Sequence, residues 1–259
     1  MIYLLIHYPL CLFNMGWSYR FNCESTHGRK FIKENGEEIV ATIMYKLEVQ
    51  SKDFGYYSGY DLKVLTMDLE KYNDIQLQFM ALMPEEDLSG FVKNITKSQI
   101  ESIDEKIVLA SDIKYGLDIE IPKFKFDYKL KLKEDLQSLG IKEAFARGGA
   151  DFSRMAVAHS PEEELYVSDA IHKADIEFGE EGVKAAAVAV YVTAGSGYPL
   201  MPDISNPVDI IIDKPFMFII RDKATKDIWF TGTLYEPNLW ENDKEEYTPK
   251  FVYNPRYGN

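Results

Sequence analysis

The feature that most constrains the fold of this chain is a strand-like segment that leads into a long irregular run. Over Gly182–Val192 small and β-branched residues succeed one another, and the alternation of faces is that of a strand. One face carries Val183, Ala185, Ala187 and Ala189. The next residues, TAGSGYPLMPDISNP, contain two glycines and three prolines, which resist regular structure. The segment therefore predicts a strand that is joined directly to a functional or disordered loop.

Composition and charge narrow the class of protein. The chain has 259 residues, of which 46% are hydrophobic, enough for a sizeable core. Its 42 acidic and 29 basic residues give a net charge of −13, which is poorly matched to a phosphate backbone. No charge-free apolar run reaches the length of a membrane span. We therefore expect neither a nucleic-acid partner nor a membrane partner.

The remaining patterns predict an α+β fold dominated by antiparallel or mixed sheet, with a few helices. The apolar start has the character of a buried strand rather than a leader peptide, since it lacks a basic end and a cleavage site. IQLQFMALM, at 75–83, predicts a strand covered on both faces. Pro84 is predicted to open a helix, and Thr96 with Gln99 predicts a capping box for a second one. VDIIIDKPFMFIIRD, at 208–222, is predicted to be a single late strand.

The sequence gives little support for an enzymatic function. The chain has no GxSxG elbow, no HExxH, no EF-hand loop and no P-loop, and GSG at 195–197 indicates only a turn. We therefore predict no catalytic residue, no metal and no cofactor. Asn94, in Asn94-Ile95-Thr96, is the one candidate for N-glycosylation.

Several stretches, in a consistent order from about residue 10 to Asn238, resemble the C-terminal part of a serpin. The most specific are IIIDKPFMFII at 210–220 followed by RDKATKDIWFTGTLYEP, the hinge-like EEGVKAAAVAV at 180–190, DAIHKADIEF just before it, and MGWSYRF at 15–21 with Trp17 and Phe21 at the family's W-x-x-x-F landmark. The resemblance implies an incomplete serpin fold whose reactive-centre loop is exposed. It also implies a suicide inhibitor of serine proteases rather than an enzyme. In that mechanism the protease forms an acyl-enzyme with the loop, and the hinge segment then inserts into the large sheet.

The resemblance also assigns roles to single residues. The implied hinge comprises Glu180, Glu181, Gly182, Val183, Ala185, Ala187 and Ala189. Counting forward by the family spacing puts the scissile bond at Ser196-Gly197, whereas counting back from Phe216 puts it near Ile204. The scissile-bond candidates are therefore Ser196, Gly197, Tyr198, Leu200 and Met201. Because no Arg or Lys occurs from Ala185 to Asp213, we expect a chymotrypsin-like or elastase-like protease as the partner.

Three further residues match the region where the sheet of a serpin opens. Lys123 is predicted to form an ion pair with Glu180 close to Trp17. His172 matches the family's histidine beneath the opening point, although an ordinary hydrogen-bonded core histidine is an equal alternative.

The organisation predicted on this basis is a partial serpin domain over 1–238 and a polar tail over 239–259. The N-terminal helices of the family are expected to be missing from a truncated chain. A non-inhibitory serpin that acts as a carrier or chaperone-like protein, and an inactive fragment, stay open as alternatives. An extracellular location is favoured, and a cytoplasmic one stays open.

Overall fold

The computed structural model describes residues 4–7, 14–48, 51–155, 165–184 and 206–237. The described strands are β1 (Leu4–His7), β2 (Asn14–Gly16), β3 (His27–Ile32), β4 (Glu38–Glu48), β5 (Phe54–Ser58), β6 (Leu62–Asp68), β7 (Leu77–Pro84), β8 (Val108–Leu109), β9 (Leu117–Pro122), β10 (Phe124–Lys131), β11 (Val167–Gly179), β12 (Gly182–Lys184), β13 (Val208–Ile211), β14 (Phe216–Asp222) and β15 (Ile228–Leu234). The described helices are α1 (Leu88–Asn94), α2 (Lys97–Asp104) and α3 (Lys133–Ser138).

The chain divides into two compact units. One consists of Met1–Phe13 with Phe126–Ile176, and the other of Asn14–Lys125 with Glu177–Asn259. The second unit is the larger, and it contains a six-stranded sheet in the order β15-β14-β7-β6-β5-β8. All eight residues of β7 are buried, as the continuous apolar run predicted. Ile100 and Ile103 of α2 pack against this sheet, and their burial joins the helix to the core.

The helices of the larger unit are fixed by their caps. The prediction that Pro84 opens a helix is wrong, because Pro84 is the last residue of β7 and pairs with Leu62. Helix α1 begins four residues later, where the Asp87 carboxylate accepts hydrogen bonds from the amides of Ser89 and Gly90. The capping box of α2 is confirmed: the Thr96 amide donates to Gln99 Oε1 at 2.8 Å, and the Gln99 amide donates to Thr96 Oγ1 at 3.3 Å.

A four-stranded sheet in the same unit has the order β13-β9-β4-β3, with β13 parallel to β9 and the other pairs antiparallel. The prediction of one strand over 208–222 is therefore wrong. This run divides into β13 of the four-stranded sheet and β14 of the six-stranded sheet. The break contains Pro215, which has no amide hydrogen to donate to a ladder.

The smaller unit contains β11 as far as Ile176. Strand β1 lies parallel to it, with Leu4 opposite Val167 and His7 opposite Ile171. The cluster beside it contains Phe145, Val167, Ala170, Leu132, Leu136, Ala144 and Phe152. The strand predicted at the start of the chain is thus present over four residues, and residues 8–13 lie outside the described part.

Candidate functional site

The first residues of the predicted insertion segment form a short strand with a neighbour on each side. In β12, Gly182 and Val183 pair antiparallel with Gly179 and Phe178 at the end of β11. On the other side β12 pairs antiparallel with β2. Val183 is only 2% exposed as a result. The segment therefore enters the sheet at its first residue, and its backbone groups are satisfied on both edges.

Glycine is required at position 182 because β2 passes very close to it. The φ angle of Gly182 is +153°, and a Cβ atom there would lie 2.2 Å from the carbonyl oxygen of Met15 and 2.6 Å from the Cα of Gly16. Both atoms belong to the backbone, so a larger residue would push the two strands apart.

We expect Gly182→Ala to lower the free energy of unfolding by about 2 kcal/mol, because the clash is with backbone that cannot rotate away. Urea unfolding of the purified protein measures this change. Gly36→Ala is the matched control, since Gly36 also has a positive φ of +83° but has no atom within 4 Å of the added Cβ. An equal loss of stability in both variants would show that only backbone conformation, and not the approach of β2, requires the glycine.

Glu180, two residues before Gly182, is held by contacts from three directions. Its Oε1 lies 3.2 Å from Lys123 Nζ, which confirms the predicted ion pair. Thr26 Oγ1 donates to the same oxygen at 2.7 Å, and the Phe21 amide donates to the Glu180 carbonyl at 3.0 Å. The side chains of Lys123 and Glu180 are 11% and 16% exposed, so the pair is partly desolvated. Such a pair fixes the position of the backbone more than it adds net stability.

Trp17 packs against the turn before β12 and is 1% exposed. Its indole Nε1 donates to the Gly179 carbonyl at 2.8 Å, and its amide donates to the Glu181 carbonyl at 3.0 Å. The ring makes an edge contact with Phe178 at a centroid distance of 5.2 Å, and Phe178 stacks on Phe124 at 4.6 Å. Trp17 therefore contacts the turn that leads into β12 through both its backbone and its ring.

Two of these contacts could not be predicted from sequence motifs. Thr26 carries no signal of its own, because it approaches Glu180 only after the one-turn helix Cys23–Ser25 has turned the chain. That turn leaves the free thiol of Cys23 exposed. Phe124 lies next to Lys123 in sequence, and strand alternation alone would have predicted that it points away from the Lys123 side.

Other predicted site residues are not brought into this cluster by the described part of the chain. Ala185, Ala187 and Ala189 lie outside the described residues, as do the scissile-bond candidates Ser196, Gly197, Tyr198, Leu200 and Met201. The backbone of His172 belongs to β11, and its side chain lies outside the description. Asn94 is exposed at the end of α1, where its Nδ2 donates to the Gly90 carbonyl at 2.8 Å, and its glycosylation stays a prediction.

Within the described ranges no cluster of His, Cys, Asp or Glu has the arrangement of a metal site. No helix in those ranges is both long and apolar enough to cross a bilayer.

Comparison with known proteins gives one consistent result. A family model described as "Serpin (serine protease inhibitor)" matches residues 5–237. A serine protease inhibitor of Cyanea capillata is 32% identical over 223 residues, which are 85% of this chain and 54% of that protein. A leukocyte elastase inhibitor of Xenopus laevis is 30% identical over 230 residues, covering 87% of this chain and 56% of that protein. The chain spans about half the length of the curated relatives it matches.

Solved structures agree on the fold. The thermophilic serpin tengpin in its native state matches with a TM-score of 0.61 at 26% identity, over 85% of this chain and 52% of the other. Thyroxine-binding globulin in complex with thyroxine matches with a TM-score of 0.65 over 88% of this chain and 55% of the other. Because its identity is only 22%, that second likeness concerns the fold alone.

Proposed function

The chain belongs to the serpin family, and on that premise we propose that it acts as a suicide inhibitor of serine endopeptidases. The family and the α+β class with mixed sheets, both predicted from the sequence, are confirmed by the comparisons. The observation that carries the proposal is the position of β12. All three residues of β12, which begins within the hinge, are paired with β2 on one side and with the end of β11 on the other.

The proposed mechanism extends this pairing. The serine of a protease attacks a peptide bond of the loop beyond Val192. That bond breaks, the residue after it leaves with a new protonated amino terminus, and the carbonyl before it forms an ester with the serine. Strand formation then continues past Lys184, so that each added residue gains ladder hydrogen bonds and carries the bound enzyme with it. Small side chains at alternate positions of Val183–Ala189 favour this step, because they enter a packed layer without overfilling it.

The contacts of Glu180 provide the fixed end that such a movement needs. The Lys123 ion pair and the Thr26 hydrogen bond hold the residue that precedes the hinge. Pairing can therefore proceed from β12 outwards while the chain before it stays in place. Gly182, whose backbone no other residue could adopt beside β2, is the pivot.

The proposed targets are proteases with a chymotrypsin-like or elastase-like preference. No basic side chain is present from Ala185 to Asp213 to enter a trypsin-like specificity pocket. Tyr198, Leu200 and Met201 offer the aromatic and aliphatic side chains that the other two classes accept. We propose an extracellular location for this activity, and a glycan on Asn94 would then be added in the endoplasmic reticulum during secretion.

Incubation with chymotrypsin, with elastase and with trypsin, followed by denaturing gel electrophoresis, tests the proposal. We expect an SDS-stable adduct with chymotrypsin or elastase and none with trypsin, and mass spectrometry of the released peptide will identify the scissile bond. Loop cleavage that yields no adduct with any of the three would contradict inhibition. That result would favour the alternatives, a non-inhibitory carrier or chaperone-like serpin or an inactive fragment.

A further inference from the structure

Three polar side chains lie side by side in the interior of the six-stranded sheet. Gln78 of β7 is directly opposite Arg221 of β14 and also opposite Asp68 of β6, so the three side chains share one face. Arg221 is 1% exposed and Asp68 is 2% exposed. Polar residues this deeply buried are uncommon, and within the described ranges only Ser51, Thr66 and Gln78 are also classed as buried.

Hydrogen bonds join these side chains into a continuous row that begins at α2. Arg221 Nη1 donates to Asp104 Oδ2 at 2.7 Å, and Arg221 Nη2 donates to Gln78 Oε1 at 2.8 Å. Gln78 Nε2 donates to Asp68 Oδ1 at 3.0 Å, and the other oxygen of Asp68 forms an ion pair with Lys223. We call Asp104, Arg221, Gln78, Asp68 and Lys223 the polar row.

The row carries an energetic cost. Burial raises the pKa of Asp68, against the opposing effects of the hydrogen bonds from Lys223 and Gln78, and the Asp53 carboxylate raises it further. A buried ionic network of this kind is weak support for stability, and its usual value is that it selects one arrangement of the backbone. The row is therefore expected to fix one part of the backbone.

That part is the end of β6, which leaves the sheet at Asp68 and continues along the hinge site. The Asp68 carbonyl accepts from the Ser18 amide at 3.1 Å, Leu69 forms a bridge with Trp17, and the Glu70 amide donates to the Gly16 carbonyl at 2.8 Å. The Ser18 hydroxyl adds a hydrogen bond to the Leu69 carbonyl at 2.9 Å. Segment 16–18 is thus bound along one edge by Asp68–Glu70.

The other edge of the same segment holds the hinge. Gly16 pairs with Gly182, and the Trp17 amide donates to the Glu181 carbonyl at 3.0 Å. Segment 16–18 is therefore shared between the end of β6 and β12. A shift of Asp68 would therefore displace segment 16–18, the strand edge with which β12 is paired.

From these contacts we infer that the polar row is a positioning device for the hinge, in which Asp68 and Arg221 hold segment 16–18 in the place that β12 requires. The consequence for inhibition rests on the proposed function. The positioning itself does not, because it concerns how firmly β12 is paired in the uncleaved protein.

Amide hydrogen exchange of the whole purified chain, followed by mass spectrometry of peptides that cover 182–184, tests the inference. We expect exchange there to become about tenfold faster in Asp68→Leu and in Arg221→Met, relative to the exchange of β4 in the same sample. Asp68→Asn keeps an oxygen acceptor for Gln78 Nε2, so we expect it to restore exchange to within about twofold of the wild type. This rescue separates positioning by hydrogen bonds from a general loss of packing.

Glu120→Gln is the matched control. Glu120 is also a largely buried carboxylate, its side chain is 12% exposed, its pKa is likewise raised by burial, and it pairs with Arg29 in the four-stranded sheet. We expect its exchange at 182–184 to stay within about twofold of the wild type. If Asp68→Leu does not fold, Lys223→Met replaces it, since the Lys223 side chain is 35% exposed and its loss is milder.

The inference is overturned if exchange at 182–184 is unchanged both in Arg221→Met and in the second row variant, which is Asp68→Leu or its replacement Lys223→Met. It is also overturned if Glu120→Gln increases that exchange as much as the row variants do. Faster exchange in the row variants together with no protease adduct in the wild type would contradict the proposed function and leave the positioning role standing.

Discussion

Val183→Glu is expected to abolish the protease adduct while leaving the loop open to cleavage. In the uncleaved protein Val183 is buried between β11 and β2, and a carboxylate there must either lose its hydration or force β12 out of the sheet. Burial of an unpaired carboxylate costs several kcal/mol, and each 1.4 kcal/mol corresponds to about tenfold in an equilibrium constant. The fraction of protease trapped on a denaturing gel, against the fraction of loop cleaved, measures the effect.

Val183→Thr is the matched control for that experiment. Threonine keeps the β-branched shape and the strand preference of valine but adds no charge. We expect it to form adduct at a level close to that of the wild type. If Val183→Glu traps the protease as well as Val183→Thr does, burial of this side chain plays no part in inhibition.

The second large effect is expected on stability. Trp17→Ala is predicted to lower the free energy of unfolding by about 3–5 kcal/mol, the range found when a buried aromatic side chain is removed from a core. The loss has two sources: the ring leaves a cavity beside Phe178, and the Gly179 carbonyl loses the indole hydrogen bond. Urea unfolding monitored by circular dichroism measures it without relying on tryptophan fluorescence.

Trp229→Ala provides the comparison. Trp229 is 49% exposed on β15, so its removal should change stability by no more than about 1 kcal/mol. A similar loss in both variants would indicate that the contacts of Trp17 with the hinge turn contribute nothing beyond its size.

Local patterns predicted the parts of this fold whose interactions are local. The capping box of Thr96 and Gln99 involves residues three apart, and the burial of β7 follows from an apolar run that only Gln78 interrupts. The division of 208–222 into two strands was missed because apolar runs lie on both sides of a break of only four residues, 212–215. Only the partner strands, which are distant in sequence, decide that β13 and β14 enter different sheets.

The residues of the candidate site were predicted mainly from the resemblance of the sequence to serpins. The Lys123–Glu180 ion pair joins residues that no local pattern relates, and the family match was what placed them together. The polar row was missed for a different reason. No sequence pattern relates Asp68 or Gln78 to Arg221, which lies 143 residues beyond Gln78. Only the registers of β6, β7 and β14 bring the three side chains into one row.

The exposed thiol of Cys23 offers a way to follow the hinge in real time. It lies in the turn that precedes Thr26, whose hydroxyl contacts Glu180, yet the thiol itself is exposed to solvent. A maleimide fluorophore attached there, with Cys11 replaced by serine, would leave the described contacts of Glu180 intact. Its emission would then report a conformational change at the base of the loop on the millisecond scale of a stopped-flow instrument, before any covalent product is isolated.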